Sequence, residues 1–494
     1  MPPIFTRLGS GALSDLANTT GASGTVRVQW DSAAPSLDEV YSSAAEVSDL
    51  SFCLNGGRWG VVVPAGISEG FFRPDPGAVP YCVFGDRTAG GTTFYAFWEA
   101  ASRSWVRTAL DTSGGAFPAL AWGGRFWVTD ELEFGLPRMV VAQVNFRRDA
   151  IDIFEIAMET SGTRAGYFAG AVVRSTVAIT LPKGHTELTN PVVAVDADRV
   201  AHLAFQSRAV DSFGDPTAST VWYLDSPSAG DWDGARAREV SDPDESEFPT
   251  LAVSGPNTNA AEPVVLLAWK SIPSFATRNP ITSILYVIAP RSSFDAAAPP
   301  FAPLGTGPTT RDPSAWANDE GDFFLGFTYV PATNAEIWIS ALRWADSGGD
   351  AAMSTPTRLS ENDGTDWDGD SAEPTNFVNG HASSRYSFAA WEEGRANADS
   401  MRRIDGSVTP FQGVGGLTYS SGNTTWSGWN DDFNRLLPDA EYADSRGQFP
   451  TVWIIDDRVY IFWVRGLPGE VASIRYAEGT IADLSPWRFQ GLPR

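Results

Sequence analysis

Lysine is nearly missing from this chain. Among 35 basic residues only Lys183 and Lys270 are lysines, so positive charge is carried almost wholly by arginine. Arginine favours planar, two-point contacts with carboxylates. No basic run occurs, and the net charge is −25. Binding to a phosphate backbone requires clustered Lys and Arg, so nucleic acid and anionic membranes are expected to be poor partners. Cysteine is also scarce. Two residues, Cys53 and Cys82, cannot build a disulfide scaffold or a Cys-ligated zinc site, and the sequence leaves open one bridge or two buried thiols. Three histidines, His185, His202 and His381, are far apart in the chain, which argues against a His-metal cluster. No apolar run approaches the ~18–20 residues of a membrane-spanning helix, so no membrane insertion is expected. The start, Met-Pro-Pro-Ile-Phe, has neither the basic nor the apolar part of a signal peptide. An extracellular or virion-associated location is nevertheless expected over a cytoplasmic one.

What is present is apolar and short. Hydrophobic residues make up 43% and charged residues 19%, enough for a core. Apolar runs of four to eight residues alternate with Gly, Pro, Asp and Ser clusters, the texture of an all-β chain. The runs come in pairs. Pro450-Thr-Val-Trp-Ile-Ile leads over Asp456-Asp457-Arg458 into Val459-Tyr-Ile-Phe-Trp463. Similar pairs open at Pro118, Pro191, Pro249, Pro313 and Pro374, and a copy without proline lies at Leu50–Val63. In the Pro374 copy, Asn379-Gly380-His381 reads as the turn. The steps between the prolines are 73, 58, 64, 61 and 76 residues. Each step has room for a third and a fourth short strand, as at Thr220-Val-Trp-Tyr-Leu224 and Ala237-Arg-Glu-Val240.

Seven such units without linkers predict one all-β domain, a β-propeller of about seven four-stranded blades, with eight as the alternative count. Residues 47–494 form the propeller, and residues 1–46 contribute to ring closure.

The frame Pro191-Val-Val-Ala-Val-Asp196-Ala-Asp198-Arg-Val-Ala-His202-Leu-Ala-Phe205, followed by Val221-Trp-Tyr-Leu-Asp225 and Arg238-Glu-Val-Ser241, resembles the repeat of sialidase-like propellers and related lectin-like propellers. The resemblance covers about residues 185–490. It implies the fold. The family's Asp-box is reduced here to Ser420-Ser-Gly-Asn-Thr-Thr-Trp426, and its early Phe-Arg-Ile-Pro motif to Phe72-Arg73-Pro74. The resemblance therefore implies no intact sialidase signature.

By analogy with propellers, the loops that enter each first strand and those that follow each second strand share one face. On that face stands Glu361-Asn-Asp-Gly-Thr-Asp366-Trp367-Asp368-Gly-Asp370. Three alternating carboxylates on a tight loop suit a hard cation, so Asp366, Asp368 and Asp370 are candidate calcium ligands; no other cofactor is expected. The alternative is a solvated turn. Asp231-Trp232-Asp233-Gly234 repeats the pattern earlier. Glycosidases need two carboxylates about 5–10 Å apart, and Glu392 and Glu393 are candidates for that work. His185 with a tyrosine suits a polysaccharide lyase, and Tyr442 has the residue type of a tyrosine nucleophile. Arg208, Lys270, Arg311, Arg395, Arg446 and Arg465 flank the same loops, where they would accept an anionic sugar or pair with nearby acids. Trp232, Trp367, Trp426 and Trp429 lie in polar loops, suited to stacking on sugar rings or to packing between blades.

The expected function is a glycan-recognising module, lectin-like or receptor-binding, whose partner is a glycan or acidic polysaccharide. The rivals are a glycoside hydrolase or polysaccharide lyase on the same fold, and a structural propeller within a protein assembly.

Overall fold

The computed structural model describes residues 26–30, 36–42, 61–62, 81–86, 91–99, 101–123, 137–213, 216–241, 246–254, 262–272, 282–296, 301–304, 310–318, 321–330, 336–344, 351–353, 357–358, 375–382, 386–395, 398–410, 447–455, 458–465, 473–480 and 484–486. These form antiparallel sheets, and no α-helix occurs among them. None of the described helices is long and apolar enough to cross a membrane. The chain divides into two compact units, Ser48–Pro303 and Met1–Val47 with Leu304–Arg494.

The unit Ser48–Pro303 contains four sheets, each following chain order. The first is built from Val61–Val62, Tyr81–Asp86, Thr92–Glu99 and Ser104–Asp111, and the second from Ala116–Gly123, Arg138–Val144, Ala150–Met158 and Phe168–Ala178. The third comprises Glu187–Val195, Ala201–Val210, Pro216–Ser226 and Arg238–Glu239, and the fourth Ser246–Ser254, Val264–Ser271, Ser283–Pro290 and Phe301–Leu304. The leading strands of successive sheets are neighbours.

The other unit holds three sheets. The fifth begins with Thr310–Ala317, Asp322–Tyr329 and Glu336–Trp344. The sixth joins Thr375–Ala382, Tyr386–Arg395 and Ala398–Pro410 to Val26–Trp30 and Leu484–Pro486. The seventh joins Gly447–Ile455, Arg458–Arg465 and Ser473–Thr480 to Ser36–Ser42. Strands from the start of the chain thus complete sheets built near its end.

The repeated prolines have a structural cause. In six sheets the first strand advances three residues while its partner advances two. In the fourth, Glu247 pairs with Lys270 and then Thr250 with Ala268; in the seventh, Gln448 pairs with Val464 and then Thr451 with Phe462. The extra residue makes a β-bulge. Proline donates no N–H, and a bulge leaves that donor unneeded. The residue before the proline takes a positive φ at Phe117 (55°), Asn190 (49°), Phe248 (54°) and Asp312 (52°). Opposite these bulges stand Phe205, Trp269, Phe327, Trp391 and Trp463, all buried. The second sheet has Gln143 there, its amide donating to Asp111 Oδ2 (2.7 Å) and accepting from Thr93.

Neighbouring sheets are sewn together at these first strands. The Phe248 N–H in the bulge donates to Gln206 Oε1 of the third sheet (3.0 Å). In the other unit, Val452 N–H donates to Asn379 Oδ1 and Ile454 N–H to His381 Nδ1, both at 3.2 Å.

The sixth sheet corrects the sequence reading. Asn379-Gly380-His381 is strand, not turn: the three pair with Ala390, Ala389 and Phe388. Its bulge lies at Phe377-Val378, three residues beyond Pro374. Asn-Gly is the strongest short hairpin signal, but here the glycine serves close packing. A Cβ on Gly380 would stand 2.4 Å from the Trp316 ring.

Candidate functional site

The segment leading into the third sheet ties two hairpins together. The first hairpin joins the second and third strands of the second sheet. Asn145 closes it, accepting from the Asp149 N–H (3.1 Å) and donating to Asp149 Oδ1 (2.7 Å), while Arg148 turns the chain with φ 59°. Phe146, at its tip, is 71% exposed. The second hairpin follows Arg208 in the third sheet. There Asp211 accepts from the Phe213 N–H (2.8 Å), and Phe213 is 88% exposed.

Between the hairpins runs Thr186-Glu187-Leu188. Thr186 N–H donates to Arg208 O (2.9 Å) and Leu188 N–H to Arg148 O (2.7 Å). The Glu187 carboxylate takes Arg148 Nη1 on one oxygen and Arg208 Nε on the other, each at 2.5 Å. Burial opposes ionisation of Glu187, but the two guanidiniums outweigh it and hold the carboxyl below its usual range. Arg148 also lies over the Phe117 ring at the bulge (6.0 Å).

His185 stands just before this segment, buried, with Nδ1 2.8 Å from Ser207 Oγ. That hydroxyl also accepts from Trp222 Nε1 (2.9 Å). One ring nitrogen of His185 is therefore engaged in anchoring the segment.

Other sequence candidates fall elsewhere. Lys270 does not face the loops as a free cation. It pairs with Glu247 (3.2 Å) and sits 5.2 Å from the Phe248 ring centre. Trp232 is not a loop aromatic open to a sugar: it is 8% exposed, packed between the second and third sheets. Its Nε1 donates to Glu155 Oε1 (2.8 Å), and Arg138 covers its ring. An indole in a polar loop loses less by burial when a carboxylate receives its N–H. The surrounding aspartates are also structural. Asp233 caps the turn Gly234–Arg236 through Ala235 N–H, and Asp231 pairs with Arg236.

Glu392 and Glu393 lie in the second strand of the sixth sheet, in register with Asn376 and Thr375. Arg311 precedes the bulge of the fifth sheet, Arg395 ends the second strand of the sixth, and Arg465 ends that of the seventh. Tyr442, Arg446, Trp367, Trp426, Trp429, Asp366, Asp368, Asp370 and Cys53 lie outside the described residues. Among the described residues no three His, Cys, Asp or Glu side chains are grouped to hold a metal ion. Cys82 is a buried free thiol whose pKa burial pushes up.

Phe146 and Phe213 escaped the sequence reading, although a signal existed. Asn145-Phe-Arg-Arg-Asp149 and Asp211-Ser-Phe-Gly-Asp215 place an aromatic where turn chemistry calls for polar residues.

No family model matches this chain, and no curated protein matches it. Solved structures do. A protein of unknown function from Dyadobacter fermentans shares 9% identity over 92% of this chain and 100% of its own, with a TM-score of 0.36. An ulvan lyase bound to -[GlcA(1-4)Rha3S]- shares 8% over 89% of this chain and 95% of its own, at 0.43. An α-L-arabinofuranosidase of Fusarium graminearum in complex with arabinobiose shares 8% over 93% and 99%, at 0.39.

Proposed function

We propose that this chain is a seven-bladed β-propeller that recognises a glycan at the loop end of its second and third blades. The observation that carries this reading is the display of Phe146 and Phe213 on two hairpins fixed by one carboxylate. A pyranose ring has a face of C–H groups, and a phenyl ring held in water gains by covering it. Exposed aromatics on rigid hairpins mark a contact surface more than a lone exposed apolar residue does. Successive sheets of four or five strands with neighbouring first strands, two of them completed by strands from the start of the chain, support the propeller.

A binding role is favoured over hydrolysis at this place by the state of its ionisable groups. A general acid must hold its proton near neutral pH. Glu187, clamped between two guanidiniums, is ionised there.

The test is a glycan array probed with the wild-type chain and with the Phe146→Ala/Phe213→Ala variant. The wild type is expected to retain at least one glycan that the variant binds about tenfold or more weakly. Equal binding by both overturns the site, and no binding by the wild type overturns the glycan reading. Incubating each hit with protein and assaying new reducing ends or unsaturated ends separates recognition from cleavage.

A further inference from the structure

We infer that Glu187 is a positioning residue that makes Phe146 and Phe213 one subsite, so that the ligand is an oligosaccharide of at least two rings rather than a single sugar. This rests on the glycan reading above. Three features of the 186–188 segment converge on it. Thr186 is bonded to the backbone of one hairpin and Leu188 to that of the other. Between them, the Glu187 side chain takes one arginine from each hairpin, one per oxygen. Phe146 is two residues from Arg148, and Phe213 is five from Arg208.

A shared anchor makes the tips a pair. Two contact elements held by one rigid element meet a linked ligand at a high effective concentration, whereas two independent loops bind two separate rings. Each phenyl face accepts one sugar ring, so engaging both requires a chain. Glu187 touches no sugar in this scheme. Its two charge-assisted bonds tie the two hairpins to one segment, and preorganisation of this kind removes part of the ordering cost of binding.

The experiment compares an oligosaccharide hit with its monosaccharide unit by titration calorimetry on the full chain. The expected wild-type result is one oligosaccharide per chain, with the single ring bound at least about a hundredfold more weakly. In Glu187→Gln the oligosaccharide should weaken by about tenfold while the single ring is unaffected. A merely structural role would weaken both together. Two single rings binding per chain as tightly as the oligosaccharide, or an unchanged ratio in Glu187→Gln, overturns the inference while leaving the glycan reading intact. A second arm needs no ligand. With 4-fluorophenylalanine at position 213, the ¹⁹F resonance should move in Arg148→Ala, a change on the other hairpin. If no glycan binds, the glycan reading fails. The oligosaccharide inference fails with it, and the fluorine arm then decides whether Glu187 couples the hairpins at all.

Discussion

The Trp316 indole fills the space that a side chain at position 380 would need: a Cβ on Gly380 would stand 2.4 Å from the ring. Trp316 belongs to the fifth sheet and lies in a buried cluster with Phe324, Val378 and Trp391, and Gly380 is half-buried in the sixth. The indole also donates to Ser387 Oγ (3.0 Å), so it has little freedom to retreat. Gly380→Ala is expected to destabilise the chain by ~1–3 kcal/mol, as overpacking does. Urea unfolding should show a lower midpoint at unchanged slope.

The second prediction concerns a buried ion pair. Arg138 and Glu155 meet in a two-point contact at 2.8 and 3.0 Å, with side chains 4% and 7% exposed. Gly230 N–H and Trp232 Nε1 also donate to Glu155, while Arg138 donates to the carbonyls of Ser226, Ser228 and Arg199. Burial works against the charged carboxylate, and Arg138 more than compensates, holding Glu155 below its usual pKa range. Glu155→Gln leaves the guanidinium buried without its counter-charge and should cost ~3–5 kcal/mol. Trp232→Phe removes one hydrogen bond and should cost ~1 kcal/mol. Thermal unfolding of the two variants checks the difference.

Acid should destabilise the chain through His381. Its ring stacks on Trp453 (3.6 Å between centroids), and burial lowers its pKa to about 3. The Ile454 N–H, which points at Nδ1, requires that nitrogen to be unprotonated. Unfolded, the ring titrates near ~6.5. A depressed folded pKa gives stability that is complete above the unfolded value and is lost as pH falls towards the folded one. The wild-type melting temperature should therefore decline between pH ~6.5 and ~4, and His381→Gln should show a flatter profile in that window. The carboxylates of Asp196, Glu155 and Glu187, all shifted downward, weaken the fold only at lower pH.

Two aspartates of one turn should behave differently. Asp196 is fully buried, with Oδ1 accepting from the Asp198 and Val200 N–H groups and Oδ2 meeting His202 Nε2 (3.3 Å) and Arg291 Nη1 (2.7 Å). His202 Nδ1 in turn lies 2.5 Å from the Tyr223 hydroxyl, whose pKa burial raises. Asp198 shares Arg291 but is 47% exposed. Asp196→Asn is expected to cost ~3 kcal/mol or more, and Asp198→Asn under ~1 kcal/mol, both read by chemical denaturation.

A bulge residue supplies the last prediction. Asn190 holds φ 49° and donates to Gln206 Oε1 (3.1 Å). A β-branched side chain is poorly tolerated in that conformation. Asn190→Val should cost ~1–2 kcal/mol more than Asn190→Gly, which loses the same bond without backbone strain. Paired denaturation curves measure the gap.

Much of the architecture was legible because strand pairing leaves a local record. Pro118, Pro191, Pro249, Pro313 and Pro450 were read as the openings of paired strands, and each lies in the first strand of a sheet. Trp269, Trp391 and Trp463, which close second strands, are fully buried. Pro374 misled because a proline three residues before the bulge looks the same in a list of spacings. Asn379-Gly380 misled because Gly has two uses, a left-handed backbone and the absence of a Cβ, and the sequence does not say which one applies.

The site was less legible. For Trp232 the sequence leaves open stacking on a sugar or packing between blades, and its partner Glu155, 77 residues earlier, decides for packing. For Lys270 the sequence leaves open accepting an anion or pairing with an acid, and the register of the fourth sheet decides it by placing Glu247, 23 residues before it, opposite. Such pairings depend on which strands meet, and composition does not encode that.

By itself, the sequence determined the class of the chain: short apolar runs, paired about turns and repeated without linkers, bury their faces as antiparallel sheets. Tertiary structure decided which polar groups are consumed and which are displayed. Glu187 meets Arg148, 39 residues away, because two sheets place them side by side. That contact turns two unremarked phenylalanines into one candidate surface, since an ion pair forms by proximity in space and leaves no period in the chain.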